Sequence, residues 1–492
     1  MPLLRAAQNL ASRIFGQQGP KLVRDLASLA SGQLTSMLLG FLTFAYLARV
    51  LKPEAYGAVE YAIAVAALAA IVIECGAGTI GVRELAKQPE RGRELATSVP
   101  AARFIMAVLV APLAALSTWL AGMEGTTATL VCLYALSLLA VPFKQDWLLQ
   151  GFERMSQNAL AQPIRTAVFA AGIFLFVHET SDLVTVGVVE LAAVTAMAFF
   201  FLVAQHRWAA PFQWPVPLST PLFLLREGAA VGLSNGLWVF MLYAPMIMLT
   251  SLAGTGGAAW LGAAQRLVIS LVTLSFVYHF NLYPVITRTV SYDRGKWGRI
   301  MAASARLVAW AGIGLALVLT LLSADLMTFV YGAPFAAGAT ALSILIWMFP
   351  LRMLTGHGRW SLIAAGHQRY LLLGEIAGAI VLLTVGFFAI PALEAAGGAL
   401  ALVSGIFISG FVTQVAVNRL VGPLSLFRYA GMPLAAALGG LAVAHAIDGS
   451  AWLQAAAGLA VYGLVALTQI RTGLADMHTI AFAKADKPEA SN

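Results

Sequence analysis

Runs of about 20 apolar residues, each long enough for a helix of roughly 30 Å, recur along the chain between short breaks that carry most of its charge. They fall at about 26–48, 57–79, 100–121, 127–147, 160–178, 183–204, 229–253, 259–285, 302–323, 336–357, 371–390, 397–418, 431–447 and 452–470. The pattern predicts an all-α, polytopic membrane protein with about fourteen transmembrane helices. Charge placement supports the count. With both ends cytoplasmic, all 30 basic residues except Arg49, Lys52 and Arg266 fall on the inner side, as the positive-inside bias requires. One helix more or fewer would scatter that partition.

Composition sharpens this picture. Of 492 residues, 60% are hydrophobic and 11% charged, where a soluble domain carries about 25% charge. A soluble protein is excluded. The net charge of +8 is that of residues flanking spans and gives no reason to expect nucleic-acid binding. Residues 1–25 hold Arg5, Arg13, Lys21 and Arg24 without a signal-peptide apolar core, so they read as an amphipathic segment on the cytoplasmic leaflet or a disordered tail. The outer connections are short and mainly acidic, with Glu54, Glu124, Glu179, Asp182, Asp325, Glu394 and Asp448. No phosphate-binding loop is found, no His, Cys, Asp or Glu cluster has metal-ligand spacing, and no catalytic set converges. Cys75 and Cys132 are expected at different membrane depths, too far apart for the about 7 Å of a disulfide.

Spans one and two align faintly with seven and eight, Ala55-Tyr56 opposite Ala259-Trp260, as in the duplicated halves of secondary transporters. The stretch Leu47-Ala48-Arg49-Val50-Leu51-Lys52-Pro53-Glu54-Ala55-Tyr56-Gly57, followed by Arg83-Glu84-Leu85-Ala86, resembles the polysaccharide-transport flippases. These are the Wzx-like O-antigen and exopolysaccharide repeat-unit translocases of the superfamily that includes MurJ and the MATE exporters. Val330-Tyr331-Gly332 with Phe335-Ala336, then Ala364-Ala365-Gly366-His367-Gln368, Ile390-Pro391 and Gly397-Gly398-Ala399 are similar to the same family. The likeness covers about residues 20 to 420. Lys52 departs from it, standing where the family usually has glycine.

The resemblance implies two six-helix lobes, 26–204 and 229–418, joined by a cytoplasmic linker at 205–228. Two accessory helices at 431–470 and a cytoplasmic tail at 471–492 follow. It also implies a non-enzymatic transporter of the bacterial inner membrane. Its cargo would be a polyprenyl-diphosphate-linked oligosaccharide for lipopolysaccharide or other surface polysaccharide, passed on to polymerase and ligase machinery.

Such a cargo needs a wet, cationic corridor, because its diphosphate and sugars cannot cross the hydrocarbon unaided. Arg266, about seven residues inside span eight, is the foremost candidate; Ser270, Thr273 and Asn281 continue a polar stripe on the same face. A cavity cation, an ion pair with Glu60, and a snorkelling side chain are the three roles open to Arg266. Arg49 reads as an interfacial anchor or outer gate. Arg83 and Arg103, with Arg352 and Arg359, read as lipid anchors or as guanidinium groups that grip diphosphate at the inner mouth. Glu60, Glu74, Glu190 and Glu375 are membrane or membrane-edge acids, able either to pair with arginine or to couple transport to protons or sodium. Glu60 leads that set. Pro245, mid-span seven, is the expected hinge, while Tyr278 and His279 read as a helix contact more than a relay. No cofactor is expected. A MATE-like exporter of small cations is the alternative reading, and a membrane polymerase or acyltransferase a second.

Overall fold

The computed structural model describes residues 19–485 apart from 121, 214 and 216. The amphipathic segment expected at 1–25 lies largely outside the described residues, which contain helices and turns but no strand. The chain forms two compact units, 1–243 and 244–492.

The first unit contains α1 (Gly19–Glu74), α2 (Ala77–Lys87), α3 (Gly92–Leu120), α4 (Gly125–Ser137), α5 (Asp146–Gly151), α6 (Met155–Phe176), α7 (Leu183–Trp208) and the start of α8 (Ser219–Ala253). The second continues α8 and adds α9 (Thr255–Tyr292), α10 (Arg294–Leu321), α11 (Ser323–Tyr331), α12 (Ala339–Leu345) and α13 (Met348–Ala364). It ends with α14 (Arg369–Leu420), α15 (Leu426–Ala446), α16 (Ala451–Thr468) and α17 (Ile470–Ala485).

Among the described residues, twelve helical segments are long and apolar enough to cross a membrane. Two of them, Thr35–Lys87 and Arg369–Leu420, run to 53 and 52 residues, about 80 Å if straight and far beyond a bilayer. Each is broken. Lys52 sits at φ 61, ψ 173 with Pro53 opening the next helix, and Glu394 sits at φ 47, ψ −121. After Glu394 the chain turns back: a Cβ on Gly397 would fall 2.3 Å from the Ala389 carbonyl oxygen, and one on Gly386 would fall 3.5 Å from the Ala401 Cβ. Counted as two spans each, these segments bring the total to the fourteen expected. Gly254, between α8 and α9, has φ 85 and ψ 178, the conformation Lys52 adopts between spans one and two. The two breaks share one backbone conformation, two residues out of step with the Ala55/Ala259 alignment.

The two units divide inside α8, two residues before Pro245, with the 205–228 stretch in the first unit. The reason is a glycine contact: Cβ atoms at Gly228 and Gly232 would lie 2.3 and 2.8 Å from the Cys75 backbone, and one at Gly76 would lie 2.4 Å from the Gly228 carbonyl oxygen. Backbone meets backbone there, binding the amino-terminal part of α8 to the first unit. Span four is also less regular than expected. α4 ends at Ser137 and gives way to a 3-10 turn, Leu138–Phe143, around Pro142, whose missing N–H cannot continue an α-helix.

The family-like motifs of the second unit are structural. Tyr331 is buried, donates from its hydroxyl to the Ala263 carbonyl at 2.9 Å and packs on Phe335, while Gly332 turns the chain at φ 98. Gly366, at φ 74, closes α13, and the His367 amide donates back to the Leu362 carbonyl at 2.8 Å. Trp297 sits in the core with its indole N–H on Ser361 Oγ at 3.1 Å. The accessory helices α15 and α16 pack through Gly440 and Gly458, and Tyr462 donates to the Trp310 carbonyl at 2.7 Å. Part of the expected tail is helix α17, held by a two-bond ion pair between Arg306 and buried Asp476 at 2.7 and 2.5 Å.

Candidate substrate-binding face

Helix α9 carries the one expected polar stripe that lies on a single spanning helix. At about 100° per residue, Arg266, Ser270, Thr273, Phe280, Pro284 and Arg288 fall within an arc of about 80°, and Asn281 lies just beyond it. Arg266, Ser270 and Thr273 are half-buried; Phe280, Asn281, Pro284 and Arg288 are exposed. The opposite side supplies Leu282, Val285, Ile286 and Val290 to the core of the second unit. Ser270 donates to the Arg266 carbonyl at 3.1 Å, Thr273 to the Ile269 carbonyl at 3.0 Å, and the Asn281 amide to the Val277 carbonyl at 2.8 Å. Both hydroxyl donors and one amide N–H are engaged locally, which leaves the hydroxyl and amide oxygens as acceptors along this side of the helix.

The other candidate cations occupy settings of different kinds. Arg103 is 1% exposed; it pairs with Glu74 at 2.5 Å and donates to the Lys144 carbonyl at 2.5 Å. It is a fastener between α1, α3 and the segment before α5. Arg83 is exposed and bridges Glu84 at 3.0 Å and Glu227 at 3.3 Å; its hydrogen bond to Glu227, then that to Glu84, raises its pKa. Arg49 is exposed at the end of the first span, three residues before the Lys52 break. Arg352 has buried guanidinium nitrogens within electrostatic reach of Glu375 and Arg359.

The membrane acids sort in the same way. Glu375 accepts from Arg359 at 3.1 Å, and Glu190 accepts from Arg165. Glu60 is 4% exposed in the second span. Between α3 and α8, Glu94 accepts from Arg91 and from the Thr220 hydroxyl, and the Arg91 hydrogen bond leads in holding its carboxyl below the usual range.

Three features were not legible as sites beforehand. Tyr278 and His279 do not stand alone: the Tyr278 hydroxyl meets Ser304, Ser304 meets His357 Nε2 at 2.7 Å, and His357 Nδ1 faces His279 Nε2 at 3.4 Å. This buried network ties α9, α10 and α13, with Gly356 pressed against the His279 ring. Arg165 and Trp360 also acquire neighbours that only the packing of separate helices creates. Among the described residues, no three His, Cys, Asp or Glu side chains converge on a metal-sized site.

Against known proteins, the chain aligns at 22% identity over 303 residues, 61% of its length, with 72% of a protein of Escherichia coli (strain K12) named "Putative O-antigen transporter". In fold it is similar to the inward closed conformation of the lipid II flippase MurJ, covering 90% of this chain and 99% of that one, with a TM-score of 0.73 and 15% identity. An inward-facing multidrug resistance MATE transporter of the MOP superfamily gives 0.58, covering 82% and 96% at 15% identity. The fold is thus that of the MurJ and MATE transporters, in a multi-pass membrane protein. A family model described as polysaccharide biosynthesis protein matches residues 22–290, more than half the chain; the protein belongs to that family, as its Wzx-like motifs implied.

Proposed function

We propose that the protein is a flippase that carries polyprenyl-diphosphate-linked oligosaccharide repeat units from the cytoplasmic to the outer leaflet of the bacterial inner membrane by alternating access. The observation that carries this reading is the α9 face, where Arg266 heads a line of half-buried and exposed polar side chains within a spanning helix. Intramembrane charge is costly and persists where it meets a cavity or partner; an arginine there suits a diphosphate. The family match and the relatives named for O-antigen and lipid II support the same cargo class.

Both termini are cytoplasmic in this scheme, and Pro245, two residues past the division between the units, is the pivot. A polymerase and ligase would take the product. Proton or sodium coupling falls first to Glu60, a carboxyl buried within the second span. A MATE-like export of small cations is disfavoured by the arginine on the same face.

The test is deletion of the gene followed by extraction of membrane lipids. The proposal expects diphosphate-linked oligosaccharide to accumulate and surface polysaccharide to vanish, both restored by the wild-type gene. Unchanged lipids with raised drug sensitivity would favour export instead.

A further inference from the structure

Beside the polar stripe lies a group of aromatic rings that the transport scheme leaves without a role. Trp360 of α13 touches three rings of α9: Phe276 at 5.7 Å, Phe280 at 6.3 Å and Tyr283 at 5.0 Å between centroids. Phe276 and Phe280 stack on each other at 6.0 Å. Phe276 and Phe280 remain 59% and 51% exposed, so the group is an open platform. Its position is informative. Phe280 lies within about 40° of Arg266 and about 20° of Thr273 around α9, which puts its ring on the polar stripe itself. A surface facing only lipid would be apolar throughout, whereas this one, apolar at the exposed Leu274 and Val277, is polar at the exposed Asn281 and Arg288 and is bordered by the half-buried Arg266 and Thr273. Arg359, next to Trp360 in the chain, is 45% exposed even while paired with Glu375.

Rings flanked by amide and guanidinium groups have one well-matched class of ligand. A pyranose has a face of C–H bonds that packs on the electron-rich face of an aromatic ring, and a rim of hydroxyls that an amide oxygen or a guanidinium N–H engages. Resting on the flippase reading, we propose that Phe280 and Trp360, with Phe276 and Tyr283 behind them, form a sugar-stacking subsite for the oligosaccharide head group, distinct from the diphosphate position at Arg266. The two are fourteen residues apart on α9, about 21 Å. One sugar attached to a diphosphate held at Arg266 cannot span that distance; a chain of several can. The platform therefore discriminates by length, binding the far end of a completed repeat unit.

Proteoliposomes test this with two probes: polyprenyl diphosphate bearing one sugar, and the full lipid-linked repeat unit extracted from a deletion strain. Phe280→Leu and Trp360→Leu keep apolar volume and remove the ring. They are expected to move the one-sugar probe at the wild-type rate and the repeat unit about tenfold more slowly, with Phe280→Tyr and Trp360→Phe restoring most of the difference. Unchanged transfer of both probes, or equal slowing of both, would overturn the subsite. Lack of repeat-unit transfer by the wild-type protein would remove the flippase reading and the subsite together, and is read in separate vesicles.

Discussion

Arg103 and Arg266 are both arginines within long apolar helices, and the protein treats them in opposite ways. Arg103, in the first unit, is closed in by the Glu74 carboxylate, the Lys144 carbonyl and the packing of Gly78, where a Cβ would come within 2.5 Å of its guanidinium. Arg266, in the second, stands half-buried at the head of a row of polar and aromatic side chains whose outer side is open. The contrast separates two uses of charge in a membrane. A cation fitted with a fixed anion and a carbonyl holds helices together, and its removal strands the anion. A cation on a half-open face can also be reached by an anion from outside, which is the role proposed for Arg266. Location in the sequence does not distinguish the two; enclosure does.

That contrast can be broken most severely at Arg103. Arg103→Leu should leave Glu74 without its partner and lower stability by about 3 kcal/mol, seen as loss of folded protein from detergent-solubilised membranes and a reduced melting temperature. A variant as stable as wild type would show that enclosure does not mark a fastener. A smaller loss, about 2 kcal/mol, is expected for Gly228→Ala, whose new methyl would meet the Cys75 carbonyl oxygen at 2.3 Å; chemical denaturation of the purified protein reads it. If Gly228→Ala were neutral, the backbone contact binding α8 to the first unit would have to be looser than described.

Lys52→Gly goes the other way. Lys52 holds φ 61, ψ 173, a region essentially reserved for glycine, so the substitution should stabilise by about 1 kcal/mol while Gly254→Ala in the equivalent turn destabilises. A melting curve for each separates these outcomes, and equal signs would contradict the equivalence of the two turns.

The smallest effect belongs to Glu94 at the membrane edge. Its folded pKa is lowered, chiefly by the hydrogen bond from Arg91, so its contribution is present above the ordinary carboxylate value near about 4.3 and is lost as pH falls through the depressed one. Glu94→Gln should cost under about 1 kcal/mol at pH 7 and should flatten the acid limb of a stability–pH curve. An unchanged slope would mean the pair contributes nothing.

Much of the fold was readable from periodicity, because a spanning helix must satisfy its own backbone and be apolar for a set length. The α9 stripe was readable for the same reason: residues at helical spacing share a face whatever packs around it. Pairings between helices were not. Glu190 and Arg165 are separated by 25 positions, and nothing local says which faces of α6 and α7 meet. Trp360 could not be tied to Phe276, Phe280 and Tyr283 without the packing of α13 on α9. The Glu394 turn lacks the glycine that would mark it, and α17 is charged enough to read as a tail until Asp476 is seen against Arg306.

The most direct measurement is leaflet transfer of the lipid-linked repeat unit in proteoliposomes containing wild-type protein or Arg266→Ala, with melting temperatures taken on the same preparations. The account predicts transfer by the wild type and none above empty vesicles for Arg266→Ala, with a cooperative melting transition showing both proteins folded. Wild-type transfer rates in the Arg266→Ala vesicles would contradict it.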